Sequence, residues 1–149
     1  MLKGKMNSRI ILADDDADDR VIFSEALSEV RANQQLTVFS DGVELMNYLQ
    51  QAAELPQLLF LDLNMPKKSG FECLKEIRTN ERYKDISIAI YSTSSSRKDI
   101  DETYNRGADV YIRKPSDYSE LKLVLKKVLR RRWNHLTSGF SRDTFLLGA

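Results

Sequence analysis

The sequence predicts an α/β protein: a doubly wound, five-stranded parallel sheet covered by helices on both faces. Three observations predict it. Five short apolar runs recur along the 149 residues, and each is followed by a longer amphipathic stretch. The runs are almost continuously apolar, as strands buried on both faces are, whereas an antiparallel sheet with one wet face alternates.

The elements follow in order. Ile10-Ile11-Leu12-Ala13 is the first strand, with a helix over 20–31. The run from Leu36 to Phe39 is the second buried strand, before a helix over 42–51. Leu58 to Leu61 is the third strand and 71–78 its helix; Ile86 to Tyr91 is the fourth, with a helix over 99–106. Val110 to Ile112 is the fifth, and the last helix runs over 118–132. There Leu121, Val124, Leu125 and Val128 recur at helical spacing, while Lys122, Lys126, Lys127, Arg130 and Arg131 lie off that stripe. From Trp133 the periodicity fails. One domain is therefore expected over 8–132, and a C-terminal tail over 133–149 that is too short for an output domain. Trp133, Leu136, Phe140, Phe145, Leu146 and Leu147 give the tail apolar area. It either frays or docks, on the domain's own surface or on a second subunit.

A composition of 42% hydrophobic and 30% charged residues is that of a globular domain, and a net charge of +1 gives no general attraction to nucleic acid or to an anionic membrane. One cysteine, Cys73, excludes an internal disulfide, and with one histidine, His135, it argues against structural zinc. Cys73 falls in a helical pattern and reads as a buried structural thiol. No apolar run reaches membrane-spanning length and the start, "MLKGKMNSRI", lacks a secretion signal, so a cytoplasmic protein is expected. The basic run "KKVLRRRW" at Lys126 to Trp133 complements a helix C-terminus and no helix-turn-helix follows it; no nucleic-acid partner is expected.

The stretch "LLFLDLNMPKKSG" raises the question of chemistry, because a fully apolar strand delivers a carboxylate, Asp62, at its tip. A buried charge there is costly unless paired. In an open parallel sheet, ligands bind beyond the carboxyl ends of the strands. Those ends carry Asp14, Asp15 and Asp16 on the first strand, Asp62 and Asn64 on the third, Ser92, Thr93 and Ser94 on the fourth, and Lys114-Pro115 after the fifth. Asp16, Asp18 and Asp19 read as helix N-terminal charges, and Thr93 and Ser94 as a polar loop or cap. Pro66 and Gly70 serve loop geometry. Clustered carboxylates repel unless a hard cation joins them, and Mg²⁺ prefers oxygen ligands. A cation, a lysine and a hydroxyl around one carboxylate suit phosphoryl transfer, with the Asp itself as nucleophile.

These residues resemble a family. "ADD" at Ala13 to Asp15, "DLNMPKKSG" at Asp62 to Gly70, Ser92, and "YIRKP" at Tyr111 to Pro115 are similar to the receiver domains of two-component response regulators. The resemblance covers roughly residues 8 to 130, with 30 residues from Asp62 to Ser92 and 22 from there to Lys114. It implies the flavodoxin-like strand order 2-1-3-4-5 and a stand-alone phosphorylation switch rather than an enzyme. Asp62 is implied as the phosphoacceptor. Asp15 is implied as a direct Mg²⁺ ligand, with Asp14 acting through metal-bound water, joined by Asp62 and the backbone carbonyl of Asn64. Ser92 and Lys114 would contact the phosphoryl group, and Tyr111 would rotate inward behind Ser92. The Lys114–Pro115 bond would be cis, aiming the lysine into the site. Implied partners are a sensor histidine kinase or phosphotransfer protein, and a downstream protein or second copy on the face made by the fourth helix, fifth strand and fifth helix. The stretch from Tyr91 to Leu121 resembles the stand-alone regulators that serve phytochrome-type and hybrid kinases. Two alternatives stay open: a phosphohydrolase, which Asn64 disfavours because an amide cannot donate a carboxyl proton, and a receiver that binds partners without phosphorylation.

Overall fold

The computed structural model describes residues 9–130 and 145–147. Strands β1 (Arg9–Ala13), β2 (Gln35–Phe39), β3 (Leu58–Leu61), β4 (Ser87–Ser92) and β5 (Val110–Arg113) alternate with helices α1 (Ala17–Val30), α2 (Gly42–Gln51), α3 (Gly70–Arg78), α4 (Arg97–Asn105) and α5 (Tyr118–Arg130). A sixth strand, β6 (Leu146–Leu147), follows. The sheet order is β2-β1-β3-β4-β5-β6, all parallel. The flavodoxin-like order expected for five strands is present, with β6 added at the β5 edge.

The apolar runs are continuous because both faces of the central strands are covered. Ile11, Ala13, Leu59, Leu61, Ile88, Ile90 and Tyr111 point to a core under α2, α3 and α4, built with Leu45, Leu49, Cys73, Leu74 and Ile77. Their neighbours Ile10, Leu12, Phe60, Ala89, Tyr91, Val110 and Ile112 face Phe23 and Leu27 of α1 and Leu121, Leu125 and Val128 of α5. Phe23 packs edge-on against Phe60 and Tyr91, with ring centres 4.8 and 5.3 Å away. The second strand departs from expectation. It lies at the sheet edge, and Gln35, Thr37 and Val38 are exposed, so it is not a buried strand; its alternating polar residues tolerate that position.

The helices start where side chains satisfy their free N–H groups. Asp16, Asp41 and Ser96 cap α1, α2 and α4, each accepting from the backbone N–H three residues on. Ser69 and Glu72 form a reciprocal capping box on α3. Gly70 is required for a different reason: a Cβ there would overlap the carbonyl oxygen of Asp62, so only glycine lets α3 start against the end of β3. Between them Lys67 turns the loop with a left-handed φ of 69°.

Cys73 is fully buried, as expected. Burial pushes its thiol up to about 12, which keeps it protonated and unreactive. The last two residues of the expected fifth helix, Arg131 and Arg132, lie outside the described residues, as do Trp133, Leu136 and Phe140. Part of the tail is described, and it is docked. Leu146 and Leu147 pair with Tyr111 and Ile112, and Phe145 is buried, edge-on to Tyr104 at 5.2 Å and 6.2 Å from the Tyr111 ring.

Candidate functional site

The strand ends converge because the ladder holds them. The N–H of Asp14 donates to the Phe39 carbonyl, that of Asp62 to Ala13, and that of Lys114 to Ser92, at 2.8–2.9 Å. Three strands thus place an acid, an acid and a base at the carboxyl-terminal end of the sheet. Asp14 is fully buried and Asp62 nearly so. Carboxylate oxygens of Asp14, Asp15 and Asp62 all lie within 4.8 Å of one another.

The partner of buried Asp62 is Lys114. Its Nζ donates to Asp62 Oδ2 at 3.2 Å and to Asp19 Oδ2 at 2.9 Å, and lies 2.9 Å from Asp14 Oδ2. The last contact lacks hydrogen-bond direction, so Asp14 Oδ2 is ion-paired but accepts no hydrogen bond. Nζ also sits 5.3 Å from the centre of the Tyr91 ring. Lys114 reaches the site through a trans bond to Pro115: no described peptide bond is cis, which corrects the expectation. The β4–β5 ladder already directs residue 114 over the strand ends, and the long lysine stem covers the remaining distance.

The electrostatics follow from this packing. Burial pushes the Asp62 carboxyl up to about 7; the Lys114 charge opposes the rise and repulsion from Asp14 adds to it. For Lys114 burial works the other way, but contacts with Asp14 and Asp19 and the Asp62 charge outweigh it and raise its proton affinity above the ordinary value. A buried carboxylate oxygen on Asp14, ion-paired to Lys114 but accepting no hydrogen bond, beside two further carboxylates is the donor set a small hard cation takes. Asn64 is adjacent: its N–H points to Asp62 Oδ1 at 3.5 Å.

Ser92 and Tyr111 belong to a second layer. Ser92 ends β4, fully buried, and its Oγ accepts from the Ser94 N–H at 3.1 Å. The Ser94 carbonyl accepts from the Tyr111 hydroxyl at 2.9 Å, and Ser94 Oγ donates to Asp99 of α4 at 2.7 Å. Tyr111 is fully buried, its hydroxyl held by the Ser94 carbonyl. The Phe145 ring lies beside it, with ring centres 6.2 Å apart.

Two of these residues were not singled out from sequence. Asp19 read as a helix-terminal charge, and Ser94 as an ordinary loop residue. Asp19 is one turn into α1, where helical geometry brings it over the strand ends, a placement a linear motif does not display.

The response regulator receiver domain family matches residues 10–126, most of the chain. The chain belongs to this family. The receiver domain is 32% identical over 117 residues to the response regulator Rcp1 of Synechocystis, covering 75% of this chain and 80% of Rcp1. A crystal structure of the phosphorylated cyanobacterial phytochrome response regulator RcpA superposes with a TM-score of 0.77 at 34% identity, over 82% of this chain and 91% of that one. The Mn²⁺-bound form of Rcp1 superposes with a TM-score of 0.74 at 29% identity, over 81% and 91%. The protein is thus a response-regulator receiver of two-component signalling. No helix among the described residues is long and apolar enough to cross a membrane.

Proposed function

We propose that this receiver is a phosphorylation switch, not a turnover enzyme, in which Asp62 accepts a phosphoryl group from a histidine kinase or phosphotransfer protein. The observation that carries the reading is the convergence of Lys114 and two further carboxylates on one buried aspartate at the end of β3. An Asp62 oxygen forms a bond to phosphorus as the bond from phosphorus to the donor's leaving atom breaks, and the leaving group departs with that electron pair. Asp14, Asp15, Asp62 and the Asn64 backbone carbonyl would hold Mg²⁺. When bound, Mg²⁺ offsets the charge that builds on the phosphoryl oxygens. Likeness to a receiver crystallised with Mn²⁺ supports a divalent ion in this place.

Lys114 follows the charge, exchanging its bond to Asp62 for one to a phosphoryl oxygen. Ser92 is the hydroxyl available to the same oxygens. Turning toward them takes its Oγ from the Ser94 N–H, and the Ser92–Ser96 loop carries the change to Tyr111 and Asp99. The output surface is then the face of α4, β5 and α5; β6 pairs along its β5 edge, so a downstream protein or a second copy meets β6 there or displaces it. Val21 and Ile22 of α1, 58% and 42% exposed just beyond Asp19, offer the donor protein an apolar foothold.

Intact-mass measurement with phosphoramidate tests the reading. The wild type gains one phosphoryl group with Mg²⁺ and none with chelator, and Asp62→Asn gains none. Catalytic release of phosphate without a labelled protein would favour the phosphohydrolase; no reaction at all would favour a phosphate-independent binding module.

A further inference from the structure

Lys114 has three N–H donors, and three carboxylates surround it. The shorter of its two hydrogen bonds goes to Asp19, not to Asp62. Asp19 is free for this because of how α1 begins. It occupies the third helical position, where a carboxylate commonly reaches back to the N-cap N–H. Here that N–H, on Asp16, is taken by Asp14 Oδ1 at 3.0 Å, while Asp19's own N–H donates to the Asp16 cap. The Asp19 carboxylate is thereby turned outward from the cap and over the strand ends. It is a third exposed, at the rim, whereas Asp14 lies at the floor. Asp19 also stands outside the cluster of Asp14, Asp15 and Asp62.

We propose that Asp19 is a positioning residue for phosphoryl transfer: it holds the Lys114 ammonium at the mouth of the site. The proposal rests on Asp62 as phosphoacceptor. During transfer the Asp62 oxygen that Lys114 contacts is drawn into the acyl phosphate, so that bond must be exchanged for one to phosphorus-bound oxygen. An ammonium with Asp14 as its sole remaining carboxylate partner sinks toward the floor. With Asp19 retained, Nζ keeps one fixed bond at the rim and swings about it, arriving at the phosphoryl oxygens already aimed.

The test is a time course of intact-mass labelling by phosphoramidate and Mg²⁺, at several phosphoramidate concentrations. For Asp19→Asn the rate at saturating phosphoramidate falls about tenfold, the scale of one charge-assisted hydrogen bond. The half-saturating concentration and the Mg²⁺ dissociation constant stay within about twofold, because Asp19 contributes position rather than ground-state binding. Asp19→Glu, which keeps the charge and can reach Lys114, restores most of the rate. Asp18→Asn removes the same charge from an exposed neighbour and leaves the rate unchanged. A wild-type rate in Asp19→Asn, or equal losses in Asp18→Asn and Asp19→Asn, overturns the positioning role. So does a tenfold weaker Mg²⁺ affinity, which would place Asp19 among the metal ligands. A melting curve for each variant confirms the fold, and Asp19→Glu supplies the readout if Asp19→Asn is unstable. Failure of the wild type to label at Asp62 overturns the phosphoacceptor reading itself, a result distinct from a labelled wild type with an indifferent Asp19.

Discussion

Asp62 is held at a cost. Its carboxyl titrates near 7 because burial disfavours the charge more than Lys114 favours it. The folded value lies above the ordinary 3.8, so the folded state binds this proton more tightly than the unfolded chain does. The resulting stability is complete below the unfolded value and is lost as pH rises through 7. Asp62→Asn should therefore be more stable than wild type at about pH 8 in chelator, by up to about 4 kcal/mol, and should match it near pH 4. Mg²⁺ should narrow the difference by stabilising the wild type more than a variant that has lost the Asp62 carboxylate. Thermal melts at both pH values, with and without Mg²⁺, check this; a wild type more stable than the variant at high pH in chelator would show that Lys114 outweighs burial.

At the scale of elements, two ties were hidden from the linear pattern. Arg78 leaves the C-terminal turn of α3 and donates to the carbonyls of Gly107 and Ile86 and to Asp109 Oδ2, at 2.8–3.0 Å. It looks like one more surface cation on an amphipathic helix, yet it locks α3 to the turns that enter β4 and β5. Arg78→Ala should cost about 2–3 kcal/mol in denaturant unfolding, since it strips partners from half-buried acceptors. The second tie is β6. Phe145→Ala should release it: amide exchange at Leu146 and Leu147 should rise to that of open chain while β1, β3 and β4 keep their protection. Persistent protection at those two amides would show that the strand pairing holds without its aromatic anchor. The five main strands and helices were legible because strict periodicities require them, and their ends moved by only a few residues where caps decide. β2 misled because four apolar-looking residues do not say whether a strand is central or at an edge. The sixth strand was illegible because two leucines carry no period.

For the molecule as a whole, the site was legible to the extent that chemistry is concentrated at strand ends. Asp14, Asp15, Asp62 and Lys114 meet where the topology puts them. Asp19 and Ser94 escaped because their roles depend on helix and loop geometry. The chain of contacts from Ser92 through Ser94 to Tyr111 and α4 makes a prediction about transmission. Ser92→Ala should still accept a phosphoryl group at Asp62 but should lose most of the phosphodonor-induced change in self-association or partner binding, because the ligand must act differentially on the two states. An undiminished response in that variant would remove the loop from the route. All of this depends on where the phosphoryl group goes, and peptide-level mass spectrometry after phosphoramidate and Mg²⁺ measures it most directly. The label should lie on the single peptide containing Asp62 and be absent when Mg²⁺ is chelated; a label on any other peptide, retained in Asp62→Asn, would contradict the account.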